Sequence, residues 1–254
     1  MINVYLAIFA FISYLIGSIN WSIIISKSQK KDIRSMGSGN PGTLNMSRNF
    51  GLKFGLLTFL LDVLKGAVPT LVAFFVFKNY SFKNSSFFVS DLAIYLIGFC
   101  VVIGHIYPIF LKFKGGKGIA STIGVLVVSL SVHGIGWASI AIMSLVAAVL
   151  FIYFTEFGAM GSFIAITPSA IGGSIRLFLE YSHVRTDNTI IFYAVTNILI
   201  FLICFFTWFA HRKNIERMLA GDEHPTSIKG MVVKNKLDKL KKKENLQKNT
   251  EKNS

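Results

Sequence analysis

The 254-residue sequence is 53% hydrophobic and only 15% charged, with 24 phenylalanines and a mean hydropathy of +0.59. This composition excludes a soluble globular domain and predicts a polytopic membrane protein. The formal net charge of +14 does not indicate nucleic acid as a partner, because the basic residues flank apolar runs and fill the C-terminal tail, where membrane electrostatics accounts for them.

The apolar runs predict an all-α membrane protein with seven transmembrane helices in one bundle. The predicted spans are 1–26, 52–77, 87–110, 119–132, 137–154, 163–179 and 189–209. The first run lacks a basic n-region, so it is expected to be a retained span rather than a cleaved signal peptide. Basic residues between positions 27 and 34 follow it at once, and the positive-inside rule therefore places the N-terminus outside and the C-terminus in the cytoplasm. For the short fourth and fifth spans, a single re-entrant hairpin is the alternative.

Two stretches make up the predicted domain organisation. Residues 1–223 form the seven-span bundle and contain three polar islands, defined here as 36–52, 104–121 and 211–223. Residues 224–254 form a lysine-rich tail, predicted to be disordered or a frayed helix near the lipid surface and to carry no chemistry.

The second island, GHIYPIFLKFKGGKGIAS, combines a basic turn with closely spaced glycines. Glycines allow the backbone to form a concave nest whose N–H groups face one anion, and Lys117 adds a positive charge there. The apolar residues that follow predict a helix whose N-terminal dipole favours the same anion. The plain alternative is a loop that is basic because it is cytoplasmic.

The first island, MGSGNPGTLNMSRNFGL, matches G-x-G-x-x-G at Gly37, Gly39 and Gly42. The dinucleotide fingerprint requires a preceding buried strand, and the neighbours here are membrane spans, so that interpretation is rejected. The island offers neutral hydrogen-bonding groups in Ser38, Asn40, Thr43 and Asn45. Arg48 adds a planar cationic fork suited to a phosphate. The alternative is a loop whose polar residues merely cap the next helix.

The third island, HRKNIERMLAGDE, follows the last predicted span directly. At helical spacing His211, Asn214 and Met218 share one face, and Arg217 lies close to the same side. The alternative is an amphipathic helix that rests on anionic lipid.

Ionisable residues also occur within and between the predicted spans. Asp62 and Lys65 are three residues apart on one helical face and are interpreted as a structural ion pair, with a proton or substrate relay as the alternative. His133 and His183 are interpreted as ordinary loop residues.

Together, the three islands resemble the membrane-integral acyl-phosphate:glycerol-3-phosphate acyltransferases. The matching strings are G-S-G-N-P-G-x-x-N-x-x-R at 37–48, G-H-x-x-P-x-x-x-x-F-K-G-G-K-G at 104–118 and H-x-x-N-I-x-R-x-x-x-G-x-E at 211–223. The resemblance covers the whole chain except the tail, and three motifs in order are far more specific than any one of them.

The resemblance implies transfer of a fatty acyl group from acyl phosphate to the 1-hydroxyl of sn-glycerol 3-phosphate, giving lysophosphatidic acid and phosphate in the first step of phospholipid synthesis. It also implies independence from acyl-CoA and acyl carrier protein as direct donors, and a bacterial plasma membrane as the location. Nothing in the sequence requires a metal or a bound cofactor, and the positive-inside rule places the three islands on the cytoplasmic side. The implied partners are the two substrates, membrane lipid and the enzyme that supplies acyl phosphate.

The resemblance and the side-chain chemistry together assign the site residues. The predicted catalytic residues are Ser38, Asn40, Lys117, His211 and Asn214. The predicted substrate-binding residues are Gly37, Gly39, Gly42, Asn45, Arg48, His105, Gly115, Gly116, Gly118, Arg217 and Glu223. The acyl-phosphate cradle is assigned to Lys117, its neighbouring glycines, Ser38 and Asn40. The glycerol 3-phosphate site is assigned to Arg48, His211 and Asn214, with Asn45, His105, Arg217 and Glu223 in support.

The sequence shows no covalent nucleophile, so direct attack by the acceptor hydroxyl is predicted, with a donor phosphate oxygen or His211 taking the proton. The competing class is a transporter or exchanger of an organophosphate, because an anion site within a bundle would serve it too. The position of all three islands on one side of the membrane argues against that class.

Overall fold

The computed structural model describes residues 2–184, 187–222, 226, 227, 230, 233 and 237, so most of the predicted tail lies outside it. The helices are α1 (Ile2–Gly17), α2 (Trp21–Ser28), α3 (Thr43–Phe50), α4 (Leu52–Phe77), α5 (Val89–Ile106), α6 (Ile119–Ser131), α7 (Ile135–Thr155), α8 (Gly158–Tyr181), α9 (Asp187–Ala210) and α10 (Arg212–Leu219). Short 3-10 turns occur at Ile33–Ser35 and Ile109–Leu111, and one isolated bridge joins Ser81 to Phe88. The all-α prediction is confirmed.

Six helical stretches of the described chain are long and apolar enough to cross a membrane. They are Ile2–Ser28, Leu52–Phe77, Val89–Leu111, Ile135–Thr155, Gly158–Tyr181 and Asn188–Ala210. The remaining predicted span corresponds to α6, which has 13 residues. At the usual helical rise, α6 covers only about 20 Å of a hydrocarbon layer about 30 Å thick.

The first apolar stretch is broken between α1 and α2, where continuous helix was predicted. Asn20 caps α2, since its side-chain oxygen accepts a hydrogen bond from the Ile23 amide at 3.1 Å. The break frees the carbonyl of Ile19, and the Lys65 ammonium donates to that oxygen at 2.7 Å. A lysine from another span therefore satisfies a backbone group that apolar surroundings would leave unpaired.

Helix α5 lies at the centre of the bundle and packs against α1, α4, α6 and α9. Ile94, Tyr95 and Val102 on this helix are completely buried. Helices α4 and α6 approach each other backbone to backbone, because a Cβ on Gly66 would overlap the Ser121 carbonyl. This close contact fixes the first turn of α6 against α4.

A charged cluster lies at the end of the bundle where α5 begins. Asp91 Oδ1 is 2.7 Å from Arg176 Nη2 and 3.3 Å from His133 Nε2, and Tyr181 donates its hydroxyl proton to the other carboxylate oxygen. The interpretation of His133 as an ordinary loop residue is therefore wrong. Its ring contacts a buried ion pair that joins α5 to α8.

We expect Gly66→Ala to lower the free energy of unfolding by about 1–3 kcal/mol, because the added methyl group must displace the backbone of α6. The matched control is Gly136→Ala in α7, where no atom lies within 4 Å of the added Cβ and the change should stay within about 0.5 kcal/mol. Thermal unfolding in detergent measures both. Equal losses in the two variants would contradict this packing.

Candidate active site

Asn45 fastens the first island to α3. Its side-chain oxygen accepts from the Ser38 amide at 3.2 Å and from Asn49 Nδ2 at 2.9 Å. Its amide nitrogen donates to the carbonyls of Met36 at 2.9 Å and Ile33 at 3.3 Å. All four hydrogen-bonding positions of this buried amide are thus occupied by protein. The geometry therefore favours a supporting role for Asn45, which holds the loop in place and has no free hydrogen-bonding position on its amide.

The glycine loop of the second island folds back onto the end of α5. The Gly115 amide donates to the Ile106 carbonyl and the Gly116 amide donates to the His105 carbonyl, each at 3.1 Å. These amides close the helix C-terminus, so the prediction that they face an anion is wrong for these two residues. A Cβ on Gly116 would overlap the His105 ring, which shows that close packing requires glycine here.

A buried polar cluster of Asp62, Lys65, His105 and Ser121 lies beneath this loop. Lys65 Nζ is 2.9 Å from Asp62 Oδ1, so the predicted ion pair is present. His105 Nδ1 lies 3.3 Å from the Ser121 hydroxyl and 3.8 Å from the same carboxylate oxygen. The side chain of His105 is only 4% exposed. His105 therefore connects the ion pair of α4 to the glycine loop above it.

The second and third islands meet where Lys117 donates a hydrogen bond to the side-chain oxygen of Asn214. Lys117 precedes α6, whereas Asn214 lies in the first turn of α10. The first island abuts the same loop, because a Cβ on Gly116 would lie 3.1 Å from the Pro41 carbonyl. The structure thus brings the three islands together at one end of the bundle.

His211 forms the buried wall of this site. Its Nδ1 donates to the Thr207 carbonyl at 2.8 Å, and Phe163 packs edge-on at 5.7 Å between ring centroids. Burial lowers the pKa of His211 to about 4, and the positive charge of Lys117 adds to this effect. At neutral pH the ring is therefore uncharged, with Nδ1 protonated and the Nε2 lone pair available to accept a hydrogen bond.

The basic side chains of the predicted site have different surroundings. Arg48 is half-buried, and its Nη2 donates to the Thr226 hydroxyl at 3.2 Å. Within the described part of the chain, the buried Nε of Arg217 has no hydrogen-bond partner. Glu223, which is also predicted to bind substrate, lies outside the described residues. Thr226 was missed by sequence reasoning, since it lies in a tail whose composition shows no motif.

A groove of about 420 Å³ runs between α8 and α9 toward this site. Its walls are mostly apolar, with Ile171, Ile175 and Phe201 among them, and Trp208 also lines it. Trp208 is one helical turn before His211, and Phe163 packs against both rings. The apolar groove therefore ends at Trp208, one helical turn from His211 at the polar end of the bundle.

Six apolar spans, and the meeting of Lys117, Asn214 and His211 at one end of the bundle, define an integral membrane protein with a site suited to phosphorylated substrates. The model of the glycerol-3-phosphate acyltransferase family matches residues 7–221, and the chain belongs to that family. The resemblance of the three motifs is thereby confirmed.

Individual members of the family are similar in sequence to this chain along most of their length. The chain is 37% identical over 215 residues to the glycerol-3-phosphate acyltransferase of Mycoplasmopsis pulmonis, covering 83% of this chain and 88% of the relative. It is 34% identical over 220 residues to that of Aquifex aeolicus, covering 87% and 97%. The glycerol 3-phosphate form of PlsY (YgiH), an integral membrane glycerol 3-phosphate acyltransferase of known structure, is similar with a TM-score of 0.67 and 29% identity, over 87% of this chain and 95% of that one. Its lysophosphatidic acid form gives a TM-score of 0.65.

We expect Lys65→Met to destabilise the protein by about 3–5 kcal/mol, because it leaves Asp62 as an unpaired buried charge. The double variant Asp62→Asn/Lys65→Met removes both charges and should recover the part of that loss that comes from the unpaired acid, while the Ile19 carbonyl still lacks its donor. Thermal unfolding in detergent of the two single variants and the double variant gives the coupling energy. Simple additivity of the two single losses would show that the side chains do not act as a pair.

Proposed function

We propose that the protein transfers a fatty acyl group from acyl phosphate to the 1-hydroxyl of sn-glycerol 3-phosphate, giving lysophosphatidic acid and inorganic phosphate. The observation that carries this proposal is the meeting of Lys117, Asn214 and His211 at the polar end of an apolar bundle. The glycerol 3-phosphate and lysophosphatidic acid forms of the similar structure support the acceptor and the product. Acyl phosphate as the donor rests on the motif resemblance.

Two adjacent phosphate sites account for the meeting of the three islands at one end of the bundle. Lys117 and the N-terminus of α6 bind the donor phosphate, with Ser38 and Asn40 from the first island. Arg48 binds the phosphate of glycerol 3-phosphate, with the third island beside it. The hydrogen bond between Lys117 and Asn214 keeps the two sites adjacent, so that the acceptor hydroxyl lies close to the acyl carbon.

The groove between α8 and α9 receives the acyl chain. It is bordered by Trp208, one turn before His211, and it continues along apolar residues of both helices. Burying an acyl chain contributes about 0.8 kcal/mol for each CH₂ group. The groove thereby orients the donor with its phosphate toward Lys117.

The transfer proceeds by direct attack. The acceptor oxygen bonds to the acyl carbon, the bond from that carbon to the phosphate oxygen breaks, and phosphate leaves. A donor phosphate oxygen takes the hydroxyl proton, because a histidine with a pKa of about 4 is a poor base at neutral pH. The protein contributes alignment and stabilisation of the developing negative charge.

The same proposal includes a topology. The chain crosses a bacterial plasma membrane seven times with α6 as the short span, the N-terminus outside and the C-terminus in the cytoplasm. The basic residues that follow α2, precede α6 and fill α10 support a cytoplasmic site, since positive charge is concentrated on that side. The basic tail, 224–254, then faces the cytoplasm, and the enzyme that makes acyl phosphate delivers its product there. The comparisons give no support to a transporter.

Purified full-length protein should release phosphate from palmitoyl phosphate only when glycerol 3-phosphate is present, with equimolar lysophosphatidic acid. Lys117→Ala should lower the rate about 10²- to 10³-fold, because it removes a charge that stabilises the leaving phosphate. Lys213→Ala, at an exposed lysine of α10, is the matched control and should retain activity. Folded protein that shows saturable uptake of glycerol 3-phosphate into liposomes without acyl transfer would support the transporter class instead.

His211→Ala should raise the KM for glycerol 3-phosphate while turnover at saturating acceptor stays within about tenfold of the wild type. A true general base would contribute about 10²- to 10⁴-fold to turnover. Because the pKa of His211 is about 4, the ring is already neutral above pH 5, and turnover of the wild type should show no inflection from this residue between pH 6 and 8. Turnover measured from pH 5.5 to 8.5 in both proteins checks this. An inflection near neutrality that disappears in the variant would assign the base to His211.

A further inference from the structure

Thr226 lies beyond the residues that the family model matches, which end at 221, yet it is only 3% exposed. Its hydroxyl accepts a hydrogen bond from Arg48 Nη2 at 3.2 Å. Its backbone amide donates to the carbonyl of Glu156 at 2.8 Å. One residue of the predicted tail thus joins α3 to the turn between α7 and α8.

The start of α8 leaves room for this residue only because position 158 is glycine. A Cβ on Gly158 would lie 2.6 Å from the Thr226 hydroxyl oxygen and 3.3 Å from the Thr226 Cβ. The hydroxyl is therefore held from two sides, by the hydrogen bond of its own amide and by the surface of Gly158. A side chain fixed in this way presents its oxygen to Arg48 at a defined point.

The contact determines how Arg48 can meet a phosphate. A guanidinium group has five N–H donors in one plane, so a bond at Nη2 fixes that plane and directs the remaining donors. Arginine has several rotatable bonds, and holding it before the ligand arrives removes part of the entropic cost of binding.

We propose that Thr226 is a positioning residue for Arg48 and that this residue beyond the family-matched part completes the glycerol 3-phosphate site. The proposal rests on the proposed function, in which Arg48 binds the acceptor phosphate. In this role Thr226 acts through Arg48 and not on the substrate directly. Its effect is therefore expected in the affinity for glycerol 3-phosphate and not in the chemical step.

The test compares Thr226→Val, which keeps the shape and removes the hydroxyl, with Thr226→Ser, which keeps the hydroxyl. In full-length protein, Thr226→Val should raise the KM for glycerol 3-phosphate about five- to tenfold, the range expected for loss of one hydrogen bond. Turnover at saturating acceptor and the KM for palmitoyl phosphate should change less than about twofold. Thr226→Ser should match the wild type, as should Ser227→Ala, a control at the adjacent hydroxyl, which accepts from the Gly230 amide at 3.1 Å.

A second set of variants, made in Arg48→Lys protein, tests whether Thr226 acts through the guanidinium group of Arg48. In Arg48→Lys protein the added Thr226→Val change should have no further effect on the KM, since the guanidinium plane is gone. An unchanged KM in Thr226→Val, a lowered KM, or an equal rise in both backgrounds would overturn the proposal, even if the variant melts at a lower temperature.

Calorimetric binding of glycerol 3-phosphate to the same proteins distinguishes this proposal from the proposed function. Weaker binding in Thr226→Val, together with a wild type that makes no lysophosphatidic acid, would reject acyl transfer and retain the role of Thr226. Normal wild-type acyl transfer with unchanged binding in Thr226→Val would reject the role of Thr226 alone.

Discussion

The ammonium group of Lys65 is the point on which the active-site end of the bundle depends. It lies 2.9 Å from Asp62 and 2.7 Å from the carbonyl of Ile19. It therefore neutralises a buried acid and donates a hydrogen bond to the backbone carbonyl that the break in the first span leaves unpaired. In an apolar environment neither group could remain unpaired without a cost of several kcal/mol. One side chain thereby fixes α1, α2 and α4 relative to one another.

The side chains of the candidate site are positioned by packing above this ion pair. His105 lies beside Asp62 and Ser121, and its ring occupies the space that a side chain at position 116 would need. The glycine loop can then close onto α5, which places Lys117 within hydrogen-bonding distance of Asn214. Lys117 is thus positioned by packing beneath its loop, although the loop itself carries no regular structure.

Local patterns in the sequence predicted the class of fold, the three islands and the Asp62–Lys65 pair, because apolar periodicity and i,i+3 spacing are properties of one segment. The break between α1 and α2 had a local signal in Asn20, which caps α2, but Lys65, the partner of the freed carbonyl, comes from another span. The amides of Gly115 and Gly116 were assigned to an anion, because glycine is equally suited to an anion nest and to close packing. The pairing of His133 with Asp91 and Arg176, like that of Thr226 with Arg48, joins distant segments.

The buried charges at the two ends of the bundle have different partners, and this difference agrees with the proposed position of the substrate site. At the Asp91 end, a carboxylate 2.7 Å from Arg176 neutralises the buried cation, so the cluster only holds helices together. At the other end, within the described chain, the buried Nε of Arg217 has no acceptor. A buried donor without a partner costs about 1–3 kcal/mol, and a phosphate oxygen placed beside it would offset that cost. In the proposed function the anionic substrates supply that acceptor, so that part of their binding energy orders the site.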